Sequence, residues 1–332
     1  MPTHPSIPDL KTLKDIYQSQ QTYTRVTPLI PCDELGEKVQ GKVFVKAESL
    51  QKTGAFKFRG ALYRLLQLSE QEKSRGVVAY SSGNFARGLA AAGEILGIDI
   101  HLVMPVDAPK NKIENARSHG AEIKLCHDSE PSREEAAATQ AAQLAQQHGY
   151  SLLHPFDDEI LIAGQSAVAV ELSEQLEQLG ETCHYLLCPT GGGSLVAGSS
   201  MVFNTSHYPD TRIIAIEPSG FDGMTLSIKE GYRTRANGRP TSSCDALQAL
   251  SPGKANFAIV EDSEVTGLAV DEAFVNEGIR FAAQNLKLIL EPSGAIGLGA
   301  MLQNPEKFRG KTTVVIVSGG NIDIEKYVDI IH

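Results

Sequence analysis

Apolar residues in this chain follow two alternating patterns. Short runs rich in β-branched residues alternate with longer stretches in which apolar residues recur at helical spacing, which is typical of parallel strands joined by helices. Strands are predicted at KVFVKAE (42–48), GVVAYSS (76–82), DIHLVMP (99–105), AEIKLC (121–126), SLLHPF (151–156), HYLLCP (184–189), RIIAIEP (212–218) and TTVVIVS (312–318). Helices are predicted at about 57–68, at 84–97, near NKIENARSHG (111–120), at EEAAATQAAQLAQQHG (134–149) and at AVAVELSEQLEQLG (167–180). Residues 221–260 have weak periodicity and yield no clear element, and the rest predicts an α/β fold with parallel sheets.

Length and composition exclude several classes of protein. The 332 residues suffice for two domains, and 42% hydrophobic with 21% charged residues is a globular rather than a disordered composition. The net charge of −10 argues against nucleic acid as a partner. No apolar run reaches the roughly 18 residues that a membrane span needs, so no membrane partner is expected.

The amino terminus and the cysteines predict a cytoplasmic location. The first residues lack the apolar segment of a signal peptide. The five cysteines form no C-x-x-C pair and are expected to be free thiols. The chain ends soon after its last glycine-rich segment, which leaves no room for an appended regulatory domain of roughly 80 residues, so feedback inhibition through one is not expected.

The stretch QKTGAFKFRG (51–60) contains a candidate nucleophile. Lys57 lies among glycine and apolar residues, two positions before Arg59. Burial and a neighbouring like charge both disfavour the ammonium form, so we expect a lowered pKa for Lys57. A neutral lysine amine condenses with carbonyl groups. The alternative is that Lys57 opens a solvated helix face on which Arg59 is an ordinary surface arginine.

Three further segments follow predicted strands at the edge where parallel sheets bind ligands. SSGNFA (81–86) places hydroxyls and an amide before a helix, whose free N–H groups suit a carboxylate. CPTGGGSLVAG (188–198) has three glycines between a strand and a helix, so its backbone can approach a phosphate. VSGGN (317–321) ends the last strand with a serine hydroxyl. Each also has a structural explanation, as a tight turn for the glycines or an ordinary N-cap for SSGN.

The nucleotide-binding signatures are absent. No G-x-G-x-x-G with an acidic ribose-binding residue occurs, and no G-x-x-x-x-G-K-[ST] occurs either. A phosphate cradle combined with a nucleophilic lysine suggests a small phosphorylated carbonyl compound instead. Pyridoxal 5′-phosphate is such a compound, and it is the predicted cofactor.

Five motifs in order carry a family resemblance. ESLQKTGAFKFRGA, SSGNFARGLA, PTGGGSLVAG, EPSGA and SGGN resemble the serine/threonine dehydratase and serine racemase family, the fold-type-II branch of pyridoxal-phosphate enzymes. The resemblance runs from about residue 20 to the carboxyl terminus, and the chain resembles threonine ammonia-lyase-like members without a regulatory domain. It implies a tryptophan synthase β-like α/β fold with two doubly wound parallel-sheet domains and the cofactor in the cleft between them. The large domain would comprise residues 1–70 and 154–332, the small mobile domain residues 71–153, and the assembly would be a homodimer or homotetramer.

The resemblance also implies roles for individual residues. Lys57 would attach the cofactor covalently, Phe56 would lie near its ring, Asn84 would bind the ring's 3′-oxygen, and Ser318 would face the pyridine nitrogen. Glu291 would be a structural carboxylate near the cofactor or part of a monovalent-cation loop. The phosphate would be held by the backbone N–H groups of Gly191, Gly192, Gly193, Ser194 and Leu195.

The substrate carboxylate would be bound by the turn that follows the strand at 76–82. The residues implied are Ser81, Ser82, Gly83, Asn84 and Phe85, and in racemase members the serine matching Ser82 also moves a proton.

Several positions depart from the family pattern. Phe85 stands where His is common, and Arg87 stands where Gln is usual. An added cation at Arg87 would suit a second substrate carboxylate such as that of 3-hydroxyaspartate, whereas the alternative is that Arg87 points outward along its helix. Ser194 replaces a fourth glycine. In IEPSGFDG (216–223), Glu217 is retained as a candidate ligand of a divalent cation, but Gly223 falls where the second carboxylate is expected, with Asp222 next to it.

Ser318 indicates the reaction type. A neutral hydroxyl does not hold the ring nitrogen protonated as a carboxylate would, so prompt loss of a β-leaving group is favoured over a long-lived carbanion. The leading prediction is a dehydratase that converts a small β-hydroxy amino acid, L-threonine or L-serine first, to a 2-oxo acid and ammonia. The alternatives are a serine- or aspartate-type racemase, a 3-hydroxyaspartate dehydratase, a β-replacement synthase and a catalytically silent pyridoxal-phosphate-binding protein.

Overall fold

The computed structural model describes residues 7–108, 110–128, 132–204 and 207–332. Its strands are β1 (Leu29–Pro31), β2 (Lys42–Lys46), β3 (Val77–Tyr80), β4 (Ile100–Pro105), β5 (Glu122–Cys126), β6 (Ser151–Leu153), β7 (Tyr185–Pro189), β8 (Arg212–Pro218), β9 (Thr266–Val270) and β10 (Thr312–Ile316). Its α-helices are α1 (Leu10–Gln20), α2 (Asp33–Val39), α3 (Lys57–Leu66), α4 (Glu70–Arg75), α5 (Asn84–Leu96), α6 (Lys110–Arg117), α7 (Arg133–His148), α8 (Glu159–Gln165), α9 (Ala167–Leu179), α10 (Ser194–Phe203), α11 (Gly223–Glu230), α12 (Lys254–Val260), α13 (Glu272–Phe281), α14 (Pro292–Gln303) and α15 (Ile324–Ile331).

The strands form two sheets. The six-stranded sheet has the order β1-β2-β10-β7-β8-β9, and all neighbouring pairs are parallel except β1 with β2. The four-stranded sheet has the order β5-β4-β3-β6 and is parallel throughout. The predicted α/β fold with parallel sheets is therefore confirmed.

Each sheet is covered by helices on both faces, which explains why the strands are apolar on both sides. Helices α1, α9, α10 and α12 contribute to the core on one face of the larger sheet, and α2, α13, α14 and α15 contribute to the core on the other. The smaller sheet has α3, α5 and α6 on one face and α7 on the other. Helix α3 thus packs in the core of the smaller sheet, and the predicted domain boundary at residue 70 stays a prediction.

The eight predicted strands each contain an observed strand, whereas β1 and β9 were not predicted. The region 221–260 contains α11 and α12, each about two turns long. Both helices are capped from outside the region, α11 by Glu217 and α12 by Asp157, whose carboxylate accepts hydrogen bonds from the N–H groups of Lys254 and Ala255. Such distant caps leave no local signal in the sequence of the helix itself.

A buried cluster of charged residues corrects the expectation for Arg59. The side chain of Arg59 is fully buried, and its Nη2 lies 2.8 Å from Glu48 Oε1 and 2.9 Å from Glu171 Oε1. Lys46 Nζ lies 2.6 Å from the same oxygen of Glu171. Burial alone would lower the pKa of Arg59, but the two carboxylates hold it above its usual value. Arg59 is therefore neither a surface residue nor the cause of the lowered pKa of Lys57.

No helix within the described ranges combines the length and the apolar character that crossing a bilayer requires.

Candidate active site

The candidate segments lie at the carboxyl ends of their strands. The pairing of β10 with β2 places Ile316 opposite Lys46, so residues 317–321 and the loop leading to Lys57 leave the sheet at the same edge. A hydrogen bond of 3.1 Å from the Phe56 N–H to the Ser318 carbonyl joins the two segments. The start of α3 is therefore fixed directly beside the end of the last strand.

The side chain of Lys57 is partly buried, and its amine contacts protein groups. Its Nζ donates to the carbonyl of Pro155 at 2.9 Å and to the hydroxyl of Ser194 at 3.3 Å, and it lies 5.3 Å from the centre of the Phe56 ring. Burial lowers the pKa of Lys57 to about 7, and no like charge contributes to the shift. A substantial fraction of the amine is therefore neutral at physiological pH, as a nucleophile or base requires.

The glycine-rich loop offers a row of free backbone donors. Gly191, Gly192 and Gly193 join β7 to α10, and within the described chain none of the N–H groups of residues 191–195 donates to a protein acceptor. Unpaired N–H groups at a helix amino terminus bind anions, phosphate above all. Ser194 begins α10 and also contacts Lys57, so the loop and the amine face the same space.

Close packing explains two of these glycines. A Cβ on Gly192 would lie 2.2 Å from the Phe156 ring. Gly193 has φ +102, and a Cβ added to it would lie 2.7 Å from Met224 Cε. A side chain at either position would displace the loop backbone.

The turn after β3 offers a second set of donors. The Gly83 N–H donates to the Ser81 hydroxyl at 3.3 Å, whereas the N–H groups of Ser82, Asn84 and Phe85 have no acceptor within the described chain. The Phe85 side chain is buried in the core of the smaller sheet, so only its backbone can meet a ligand here.

Helix α5 carries this turn close to Lys57. A Cβ on Gly88 would lie 3.1 Å from the Phe58 nitrogen and 3.3 Å from the Lys57 carbonyl carbon, so α5 and α3 approach each other closely at this glycine. The second donor set and the amine are thereby held on neighbouring helices.

Asn84 is the centre of a hydrogen-bonded chain of side chains. Its Nδ2 donates to Glu291 Oε1 at 2.6 Å, and its Oδ1 accepts from Asn321 Nδ2 at 2.8 Å. Asn321 in turn accepts from Arg87 Nη1 at 2.6 Å and donates to the Thr53 carbonyl at 2.8 Å. Arg87 therefore does not point outward along its helix. Asn321 is the last residue of the SGGN motif, and no role was predicted for it from the sequence.

Glu291 and Ser318 are both buried at this edge. Burial raises the pKa of Glu291 to about 8, so its carboxyl group is largely protonated at neutral pH. Glu291 is the N-cap residue of α14 but makes no capping hydrogen bond, because its side chain turns to Asn84. The Ser318 hydroxyl donates one long hydrogen bond, of 3.5 Å, to the Ser293 carbonyl. It is therefore available for a shorter hydrogen bond with another group.

Glu217 has a structural role in this geometry. Its two oxygens accept hydrogen bonds of 2.8 Å from the N–H groups of Met224 and Thr225, and the Thr225 hydroxyl adds a third at 2.6 Å. Burial raises its pKa to about 8. A Cβ on Gly223 would lie 2.5 Å from the Leu250 carbonyl oxygen, so a carboxylate is not accommodated there. No group of three potential ligands occurs among the described residues, and the prediction of a cation at Glu217 gains no support.

These residues fit the predicted cofactor. Pyridoxal phosphate presents an aldehyde and a phosphate, and Lys57 Nζ lies 3.3 Å from the hydroxyl of Ser194, within the loop of unpaired N–H groups. The neutral hydroxyl of Ser318 and the amide of Asn84 supply polar groups at the same edge of the sheets. The site therefore offers N–H donors for the phosphate, an amine that can attack the aldehyde, and polar side chains for the pyridine ring.

Comparisons with known proteins agree with this site. A family model described as "Pyridoxal-phosphate dependent enzyme" matches residues 21–319. The L-threonine ammonia-lyase of Thermotoga maritima is 35% identical over 97% of this chain and 78% of its own length. The L-threo-3-hydroxyaspartate ammonia-lyase of Saccharomyces cerevisiae is 32% identical over 98% of this chain and 97% of its own length. The crystal structure of serine racemase from Dictyostelium discoideum superposes with a TM-score of 0.87 at 31% identity, covering 96% of this chain and 100% of that one.

The match to the family model spans both sheets, Lys57, the turn at 81–85, the glycine-rich loop and Ser318. The predicted fold type and the predicted cofactor are therefore confirmed, and the chain belongs to the family of pyridoxal-phosphate dependent enzymes.

Proposed function

We propose that this chain is a pyridoxal-phosphate-dependent ammonia-lyase, which removes the β-hydroxyl group of a small hydroxy amino acid and yields a 2-oxo acid and ammonia. L-Threonine and L-serine are the first candidate substrates. The observation that carries the proposal is the amine of Lys57, which has a pKa of about 7 and contacts Ser194 of the glycine-rich loop. The relatives described as ammonia-lyases support the reaction class.

Different groups at the site serve different steps of the proposed reaction. When bound, the cofactor supplies the electron sink that makes the substrate Cα–H bond acidic. The free N–H groups of the 81–85 turn hold the substrate carboxylate, which orients the Cα–H bond toward Lys57. Lys57 then takes that proton, because an amine with a pKa of about 7 is a base poised near neutral pH.

Ser318 and the glycine-rich loop favour elimination of the β-hydroxyl group over reactions that need a long-lived carbanion. The Ser318 hydroxyl would face the pyridine nitrogen of the bound cofactor and would not keep it protonated as a carboxylate would. Loss of the β-hydroxyl group, which gains a proton and leaves as water, would then be favoured over a long-lived negative charge at Cα. Ser194 belongs to the glycine-rich loop, and its hydroxyl accepts a hydrogen bond of 3.3 Å from Lys57 Nζ, so it can pass the proton from Lys57 to the leaving hydroxyl group. The free N–H groups of the glycine-rich loop would hold the phosphate of the bound cofactor.

Ser82 supports racemisation as a second activity. Its hydroxyl is half-buried on the substrate turn and has no hydrogen-bond partner within the described chain, so it is free to carry a proton. A serine racemase is among the similar structures. Racemisation requires return of a proton to the opposite face of Cα, which a free hydroxyl on that side would provide.

A substrate panel tests the proposal. Holoenzyme is incubated with L-threonine, L-serine and L-threo-3-hydroxyaspartate, 2-oxo acid is measured, and chiral chromatography follows the remaining substrate. We expect 2-oxo acid from at least one substrate and its loss in Lys57→Ala, while the matched Lys52→Ala variant in the same loop stays active. Accumulation of the D-isomer without 2-oxo acid would favour racemisation, and no change in any substrate would favour a silent binding protein.

A further inference from the structure

Arg87 is joined to the substrate turn by hydrogen bonds that run through Asn321. It lies one helical turn after Gly83 and Asn84, and long side chains in helices point back toward the amino terminus. The hydrogen bond of 2.6 Å from Nη1 to Asn321 Oδ1 fixes the guanidinium there, because Asn321 also binds Asn84. The guanidinium is thus two hydrogen bonds away from the side chain of Asn84, whose backbone N–H is among the groups proposed to hold the substrate carboxylate.

The guanidinium of Arg87 has no acidic partner within the described ranges. Its one hydrogen bond goes to a neutral amide, and its Nε is buried without an acceptor. Glu291 lies at the other end of the Arg87–Asn321–Asn84 chain and is largely neutral, because burial raises its pKa to about 8. Arginine remains charged when partly buried, so a half-buried cation here lacks the counterion that such a group normally has.

A ligand can supply the missing negative charge. The turn at 81–85 binds one carboxylate through its backbone, which leaves the guanidinium available to a second anionic group on the same small molecule. A carboxylate accepts two parallel N–H bonds from a guanidinium, and this pairing is both strong and selective. An amino acid with a hydroxyl and a second carboxylate on its β-carbon presents its leaving group and this anion together.

We infer that Arg87 is a specificity-determining residue that binds the second carboxylate of a 3-hydroxy amino dicarboxylic acid. This inference rests on the proposed lyase function for its kinetic test, but not for its binding test. L-threo-3-Hydroxyaspartate is the reactive probe, and malonate is the unreactive one.

The kinetic test compares two substrates in holoenzyme variants. A charge-assisted hydrogen bond corresponds to a change of about 10- to 100-fold, so Arg87→Gln is expected to lower kcat/KM for L-threo-3-hydroxyaspartate by about that factor. The same variant is expected to change kcat/KM for L-serine less than about threefold, because serine has no second carboxylate. Arg87→Lys should recover part of the loss, and Arg75→Gln, at an exposed arginine on α4, should leave both substrates unchanged. An equal loss for both substrates would assign Arg87 to support of the turn and overturn the inference.

The binding test separates this inference from the proposed reaction. Malonate bound to holoenzyme is measured by calorimetry, with acetate as the monocarboxylate control. We expect malonate to bind at least about tenfold more weakly to Arg87→Gln than to the unaltered enzyme, with little change for acetate. If no amino acid is turned over but the affinity for malonate still depends on Arg87, the lyase proposal fails and the proposed dicarboxylate site stands. Equal malonate binding by both proteins would refute the role of Arg87 whatever the reaction is.

Discussion

The rate at which the cofactor attaches to apoprotein should follow the ionisation of Lys57. Only the neutral amine attacks an aldehyde, and burial lowers the pKa of Lys57 from 10.5 to about 7. At pH 7 about half of the buried amines are neutral, whereas an amine with a pKa of 10.5 would be neutral in about one molecule in 3,000. The attachment rate should therefore rise from about pH 6 to about pH 7.5 and level off by about pH 8.5.

Stopped-flow absorbance of apoprotein mixed with pyridoxal phosphate measures this rate at each pH. A lysine derivative with a free side-chain amine in solution, mixed with the cofactor in parallel, controls for ionisation of the cofactor itself. Lys57→Ala apoprotein gives the background from other lysines. A rate that keeps rising about tenfold per pH unit up to about pH 9 would show that the amine is solvated and that burial does not set its pKa.

Three substitutions test other parts of the structure. Arg59→Met leaves Glu48 buried without a cation and Glu171 with Lys46 alone, and should lower the free energy of unfolding by about 3–5 kcal/mol, measured by urea denaturation. An unchanged free energy of unfolding would contradict this role of Arg59. Gly192→Ala puts a methyl group against the Phe156 ring and should weaken cofactor affinity by at least about tenfold in a fluorescence titration. An unchanged affinity would show that the loop accommodates the methyl group. Ser194→Ala removes the hydroxyl beside Lys57 and should lower kcat by about 2- to 10-fold with the cofactor still bound, and an unaltered kcat would remove Ser194 from the proton path.

The sequence predicts the parallel sheets and the main motifs because their signals are local. A buried parallel strand is a short apolar run, and a glycine-rich or hydroxyl-rich turn follows it directly. Once the strands are parallel, their carboxyl ends lie at one edge, so Lys57, the 191–195 loop and the 81–85 turn are brought together by topology alone.

The sequence does not predict contacts between distant segments. From the sequence alone, Arg59 resembles an ordinary surface residue of a helix. Its partner Glu171 lies 112 positions away, and no local pattern pairs the two residues. The role of Asn321 is hidden in the same way, since its partner Asn84 is 237 positions distant. Side-chain pairing across the fold depends on the final packing, which periodicity does not encode.

Chemical trapping of the cofactor tests the central claim most directly. Holoenzyme is reduced with borohydride, digested and mapped by mass spectrometry, with holoenzyme left unreduced as the control. Because the partly buried amine of Lys57 contacts Ser194 of the glycine-rich loop, the added cofactor mass should appear on the peptide that contains Lys57. The same mass on another lysine, or on no peptide at all, would contradict the account.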